Sequence, residues 1–273
     1  MIEVKNLTFS YPGTKYKVFD QLSLTLDHSG IYGLLGKNGM GKSTLLYLLA
    51  GLLRPAKGEV LVDGYEAKKR NPDMLQDIYI VPEEYDLPQI SLADYVKIHT
   101  DFYPRFSMER LEESLKLFEM PTAVKLNQLS MGQKKKVYMS FAVASGCALL
   151  LMDEPTNGLD IPSKALFRKV VATCLPDDTT MIVSTHQVHD VEQLLDHVLI
   201  LDHSQFAFNA STEQIARDYT FTYRQPSQMG NDVIYAEPSL QGNLTMAHRQ
   251  KGDQETAINL ELLFNAVTLG KLK

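Results

Sequence analysis

An α/β fold, with a mixed sheet as its core and a helical block inserted into that sheet, is predicted by three observations. The first is a short apolar run, Ile31–Leu35, that leads through a glycine-rich loop into the apolar helical stretch Thr44–Leu53. The second is a series of similar short runs, Asp77–Val81, Ala148–Met152 and Thr180–Ser184, each ending on polar residues as buried parallel strands do. The third is a long interruption. From Ser91 to about Gly146 the apolar residues recur at helical spacing, so strand–helix alternation stops and then resumes.

Composition bounds the function. The chain has 273 residues, 44% hydrophobic and 22% charged, which suits one large domain with a small appendage. A net charge of −6 gives no bulk electrostatic case for a nucleic-acid partner. Cys147 and Cys174 lie in apolar runs without metal-ligand spacing and read as buried free thiols. The N-terminal MIEVKNLTF alternates like a strand and has no signal-peptide regions, and the most apolar stretch, Phe141–Met152, is too short to span a bilayer.

The elements then follow in order. Ile2, Val4, Leu7 and Phe9 alternate loosely, as does Val18–Leu26, giving two early strands that look antiparallel. Tyr11-Pro12-Gly13 turns between them, and Tyr11 either stacks on a nucleotide base or covers the sheet edge. The loop Gly36–Thr44 reads GKNGMGKST and fits G-x-x-x-x-G-K-[ST]. Gly36, Gly39 and Gly41 let the main chain turn and bring its amides close to an anion; Lys37, Asn38 and Met40 lie between them in the same cradle. Lys42 can reach terminal phosphates. Ser43 can ligate Mg²⁺, a hard ion that prefers oxygen, and Thr44 continues into the helix whose positive end faces the same charge.

Gly58–Val62 resumes strand. Asp77–Val81 ends at Pro82-Glu83-Glu84, where a carboxylate is placed either to meet the ligand or to sit in solvent. Ser91 with Asp94 resembles a capping box, and Ser107 can cap Met108–Phe118. Ser130-Met131-Gly132-Gln133 opens a further helix, a second terminus ready for an anion, and the lysines at 134–136 read as a solvated face. Asp153 and Glu154 end a fully apolar strand. Two such carboxylates are costly without partners, so Asp153 is a candidate Mg²⁺ holder and Glu154 a candidate base for an attacking water. Asp160 caps the helix Ile161–Cys174, and His186 follows the strand Thr180–Ser184, where it can face a terminal phosphate. Beyond Ser204, Gln205–Asn209 continues the core and Thr212 can cap a short helix. Tyr219–Tyr223, Val233–Tyr235 and Leu244–Ala247 are short strands, and Asn259–Val267 is an amphipathic helix.

In combination, GKNGMGKST, LSMGQ, LLLMDEP, NGLD and STH resemble the nucleotide-binding subunit of ATP-binding cassette (ABC) transporters over about residues 1–210. The resemblance implies a P-loop ATPase with the helical subdomain at about 88–147 and a small appendage at 211–273. It implies that Tyr11 stacks on adenine, that Lys42 and Ser43 hold phosphate and Mg²⁺, and that Glu154 and His186 serve hydrolysis with Asp153 on the metal. It assigns Ser130, Gly132 and Gln133 to the γ-phosphate of ATP held by a second subunit, and Asp160 to the contact between the two. One position departs. Glu83 stands where the family has Gln; it still offers an oxygen to Mg²⁺ or water but adds charge, and it resembles a bacterial subgroup paired with exporters. The implied partners are a separate membrane permease and a second ATPase subunit, at the cytoplasmic face of the membrane. Two other functions compete. Soluble relatives that act on ribosomes usually carry two cassettes, and those that act on DNA insert long coiled coils; neither feature is here. A binding module without catalysis is disfavoured by the presence of Lys42, Asp153, Glu154 and His186 together.

Overall fold

A computed structural model describes residues 1–272. The chain opens with β1 (Ile2–Phe9) and β2 (Phe19–Leu26), an antiparallel pair in which Val4 faces Leu24 and Phe9 faces Phe19. β3 (Gly30–Leu35) carries the phosphate loop into α1 (Lys42–Leu49). β4 (Lys57–Val62) returns to pair with β1, with β5 (Tyr65–Glu66) beside it. After the single turn α2 (Pro72–Leu75) and β6 (Ile78–Val81) come the inserted helices α3 (Leu92–His99), α4 (Met108–Leu117) and α5 (Met131–Ala144). The sheet resumes with β7 (Leu149–Asp153), α6 (Ile161–Cys174), β8 (Thr180–Thr185), β9 (His197–Asp202) and β10 (Gln205–Ser211). The remainder is α7 (Thr212–Asp218), β11 (Tyr219–Arg224), β12 (Val233–Ser239), β13 (Gly242–His248) and α8 (Leu260–Thr268).

Three sheets result, ordered β2-β1-β4-β5, β10-β9-β3-β8-β7-β6 and β11-β13-β12. In the central sheet β9, β3, β8, β7 and β6 are parallel and β10 is an antiparallel edge. Successive side chains of a strand point to opposite faces, and here both faces are buried. Leu34, Leu149, Leu151, Ile182 and Leu199 pack with α1 and the β1–β2 sheet, whereas Leu35, Leu150, Met152, Val183 and Ile200 pack with α5, α6 and α8. The strands therefore read as continuous apolar runs. All five parallel strands present their carboxyl ends on one side, where ligands bind in open α/β sheets.

Three local expectations need correction. The helix after the phosphate loop ends at Leu49 rather than Leu53, because Gly51 turns left-handed (φ +68°) and the Leu52 amide bonds back to the Tyr47 carbonyl at 2.8 Å. The cap of α7 is Ser211, one residue before Thr212; its hydroxyl accepts from the Gln214 amide while the Gln214 side chain accepts from the Ser211 amide. Lys135 is not on a solvated face. It is 8% exposed, one helical turn before the buried Met139.

The C-terminal residues are packed onto the core. α8 buries Leu260, Leu262, Leu263, Ala266 and Val267 in the same cluster as the helical face of the central sheet. Among the described residues, no helix is long and apolar enough to cross a membrane.

Candidate functional site

The site is built at the carboxyl ends of β3, β7 and β8. Gly41, at the N-cap of α1, has φ +97°, and a Cβ there would lie 2.6 Å from Val18 Cγ1 and 2.9 Å from the Phe19 ring. Glycine at that position is thus required both by dihedral and by space. The loop it closes brings Asn38, Gly39, Gly41, Lys42, Ser43 and Thr44 to a cavity of about 510 Å³. Tyr11, Glu83, Glu154, Asn157 and His186 line the same cavity, which is within the size range of small-molecule sites. Gly36 is buried beneath it, Lys37 is exposed beside it, and Met40 packs against the core.

Charged groups converge at one end. Lys42 Nζ donates to the Gly36 carbonyl at 2.8 Å and lies 3.5 Å from Glu154 Oε1. His186 Nδ1 is 3.0 Å from the same oxygen, and the His186 amide points to Oε2 at 3.4 Å. Glu154 adopts φ +46°, a left-handed backbone that L-residues other than Asn and Asp rarely take. The Ser184 carbonyl holds its amide at 3.0 Å, so the neighbouring strand sustains the strain.

Asp153 is 1% exposed, and its carboxylate accepts from Ser184 Oγ. Burial raises its pKa, while the hydroxyls of Ser184 and Ser43 act against that shift. The Asp153 carboxylate and the Ser43 hydroxyl, close enough to influence each other, offer two oxygen donors, a set that suits Mg²⁺ completed by water and phosphate. Glu83 is exposed and accepts from Asn157 Nδ2 at 2.8 Å. Tyr11 is 41% exposed; its ring meets Phe9 edge-on and its hydroxyl is 2.9 Å from Thr44 Oγ1.

Ser130, Gly132, Gln133 and Asp160 are not brought to this cavity. Ser130 and Gln133 close a reciprocal cap at the start of α5, with bonds of 3.3 and 2.9 Å, and Asp160 caps α6 by accepting from the Ser163 amide at 2.9 Å. The Ser163 side chain foremost, then its amide, hold the Asp160 carboxyl below its usual range. Gly132 faces Leu159, and the exposed apolar side chains Met131 and Ile161 flank this surface.

Two participants were not singled out from sequence as site residues. Asn157 bridges the turn after Glu154 to Glu83, and Lys135 Nζ donates to the Asn157 carbonyl at 2.6 Å. Burial lowers the Lys135 pKa, while the Glu83 and Glu154 carboxylates raise it. The available signal was its spacing: Lys135 shares a helix face with Met139 and Ala142.

Comparison with known proteins is consistent with this geometry. A family model described as ABC transporter matches residues 19–157. The chain is 30% identical over 223 residues to the ABC transporter ATP-binding protein YtrB of Bacillus subtilis, covering 80% of this chain and 75% of that protein. It is 31% identical over 209 residues to the SkfA peptide export ATP-binding protein SkfE of the same organism, covering 74% and 85%. A bacterial ABC transporter cassette solved as a dimer superposes with a TM-score of 0.67 at 24% identity, covering 77% of this chain and 98% of the cassette.

Proposed function

We propose, from the premise that this chain belongs to the ABC transporter family of ATP-binding subunits and is an ATPase, that it powers a separately encoded membrane permease through ATP-driven pairing of two subunits. The observation that carries this reading is the convergence of Lys42, Glu154 and His186 at one end of the glycine-loop cavity.

The steps follow from these groups. The loop amides and the N-terminus of α1 bind the phosphates, and Lys42 moves from Glu154 to the terminal phosphate. Glu154 orients a water and accepts its proton, and His186 contacts the same phosphate. Ser43 and Asp153, with Glu83 beside the attacking water, are the residues that would hold Mg²⁺, which supplies charge neutralisation to the phosphates. Tyr11 covers the adenine.

A terminal phosphate in this cavity is left open on the side facing solvent. Ser130, Gly132, Gln133 and Asp160 form a second surface on the same molecule, away from the first. A head-to-tail pair with closed two-fold symmetry brings the two surfaces together twice. Met131 and Ile161 are exposed apolar side chains beside the second surface, and that exposure supports a contact that would cover them. Hydrolysis then loosens the pair, and the inserted helices, about residues 88–147, transmit the motion to the permease at the cytoplasmic face of the membrane. Residues 211–273, of which 211–272 are described, are the appendage, and its described part braces the core. Export is the direction we favour, from Glu83 and from the peptide-export relative.

Capture of the intact chain from detergent-solubilised membranes of its own cell tests the partner. Recovery of a polytopic membrane protein is expected. Recovery of ribosomal proteins without one would favour the soluble alternative.

A further inference from the structure

We propose that Lys135 is a positioning residue for hydrolysis: it anchors the Asn157 turn and supplies the counter-charge that lets a glutamate stand at position 83. The inference rests on the ATPase reading above and brings in Lys135 and Asn157, which that reading does not use.

Lys135 and Lys42 are the lysines buried below a tenth of their surface among the described residues. Lys42 has its task at the phosphates. Lys135 has no anionic side chain in direct contact; its Nζ reaches the Asn157 carbonyl at 2.6 Å and the Glu154 carbonyl at 3.5 Å. A buried ammonium is costly unless its donors are satisfied and its charge is offset. The carbonyls meet the first need. Glu83 foremost, then Glu154, offset part of the second, against the larger effect of burial.

The connection runs onward from Asn157. Its side-chain amide donates to Glu83 Oε1 at 2.8 Å, so one residue takes the ammonium on its carbonyl and gives its amide to the carboxylate. Glu83 and Asn157 line two cavities at once. One is the nucleotide cavity; the other, about 510 Å³, is also lined by Glu84, Asp86 and Lys135. In that second cavity three carboxylates stand against one cation. Glu83 is therefore a negative group beside the phosphates whose orientation depends on Asn157, and Asn157 depends on Lys135. Loss of the ammonium releases the turn that follows the catalytic carboxylate and leaves the Glu83 charge without its offset.

A double-mutant cycle between K135M and E83Q tests this. With Glu83 present, K135M is expected to lower kcat about tenfold or more while KM for ATP changes less than about threefold. In the E83Q background the same substitution is expected to cost less than about threefold. Equal losses in both backgrounds would overturn the proposal, since a purely structural lysine would cost the same in each. The same cycle, read by thermal unfolding without nucleotide, should show a smaller drop in Tm for K135M when Gln stands at 83; equal drops contradict the pairing. Should K135M not accumulate folded, K135Q keeps a donor for the Asn157 carbonyl, loses the charge, and carries the same expectations. A parent chain without ATPase would count against the function proposed above, and the unfolding cycle would still decide the Lys135–Glu83 pairing.

Discussion

Lys42 Nζ lies 3.5 Å from Glu154 Oε1, and both side chains are only 7% exposed. The group assigned to grip phosphate and the group assigned to activate water thus meet at one point. Buried ion pairs add little net stability, but removing one partner is costly because the other is left uncompensated. Lys42→Ala is expected to weaken ATP binding by at least about tenfold and to destabilise the fold by about 3 kcal/mol. Fluorescent-nucleotide titration and denaturant unfolding measure the two effects. Unchanged binding contradicts the cradle.

His186 touches the same carboxylate oxygen at 3.0 Å from the end of the neighbouring parallel strand β8. His186→Ala is expected to lower kcat about a hundredfold with ATP affinity largely retained, the pattern of a group whose contact strengthens in the transition state. A loss confined to KM would place His186 in ground-state binding instead.

Gly41 and Gly39 separate space from dihedral strain. Both have positive φ, +97° and +82°, but only at Gly41 would a Cβ collide, with Val18 and Phe19. Gly39→Ala is expected to cost about 1 kcal/mol, the left-handed penalty alone. Gly41→Ala should cost more than that and abolish nucleotide binding. Equal effects in unfolding and binding assays would contradict the packing account.

His189, in the turn after His186, ties α8 to the site. Its Nε2 is 2.8 Å from Glu261 and its Nδ1 is 3.4 Å from Glu192. Glu261 foremost, then Glu192, raise its pKa above the usual 6.5. The protonated form is the one favoured in the fold. Its contribution is therefore fully present below 6.5 and fades as pH rises through the higher folded value. Thermal melts of parent and His189→Ala should differ more at about pH 5.5 than at about pH 8.5. A difference that grows with pH would reverse the sign and refute the link.

Much of this molecule was legible from sequence because local chemistry and global role agree there. The glycine loop, the apolar run ending at Asp153 and the caps Ser91, Ser107 and Asp160 follow from short-range rules. The left-handed Glu154 was not legible, since the Ser184 strand imposes it. Lys135 escaped for a similar reason. A lysine triplet reads as solvated until the turn carrying Asn157 is folded over the middle one. By local pattern alone the tail reads as separate pieces. That α8 shares the core of the central sheet depends on contacts across more than sixty positions, such as Glu261 with His189.

The most direct test of the central claim is the mass in solution of Glu154→Gln with ATP and Mg²⁺, measured by light scattering. The account predicts a monomer without nucleotide and a dimer with ATP, holding two unhydrolysed nucleotides per pair. A monomer under both conditions, or turnover at the parental rate, would contradict it.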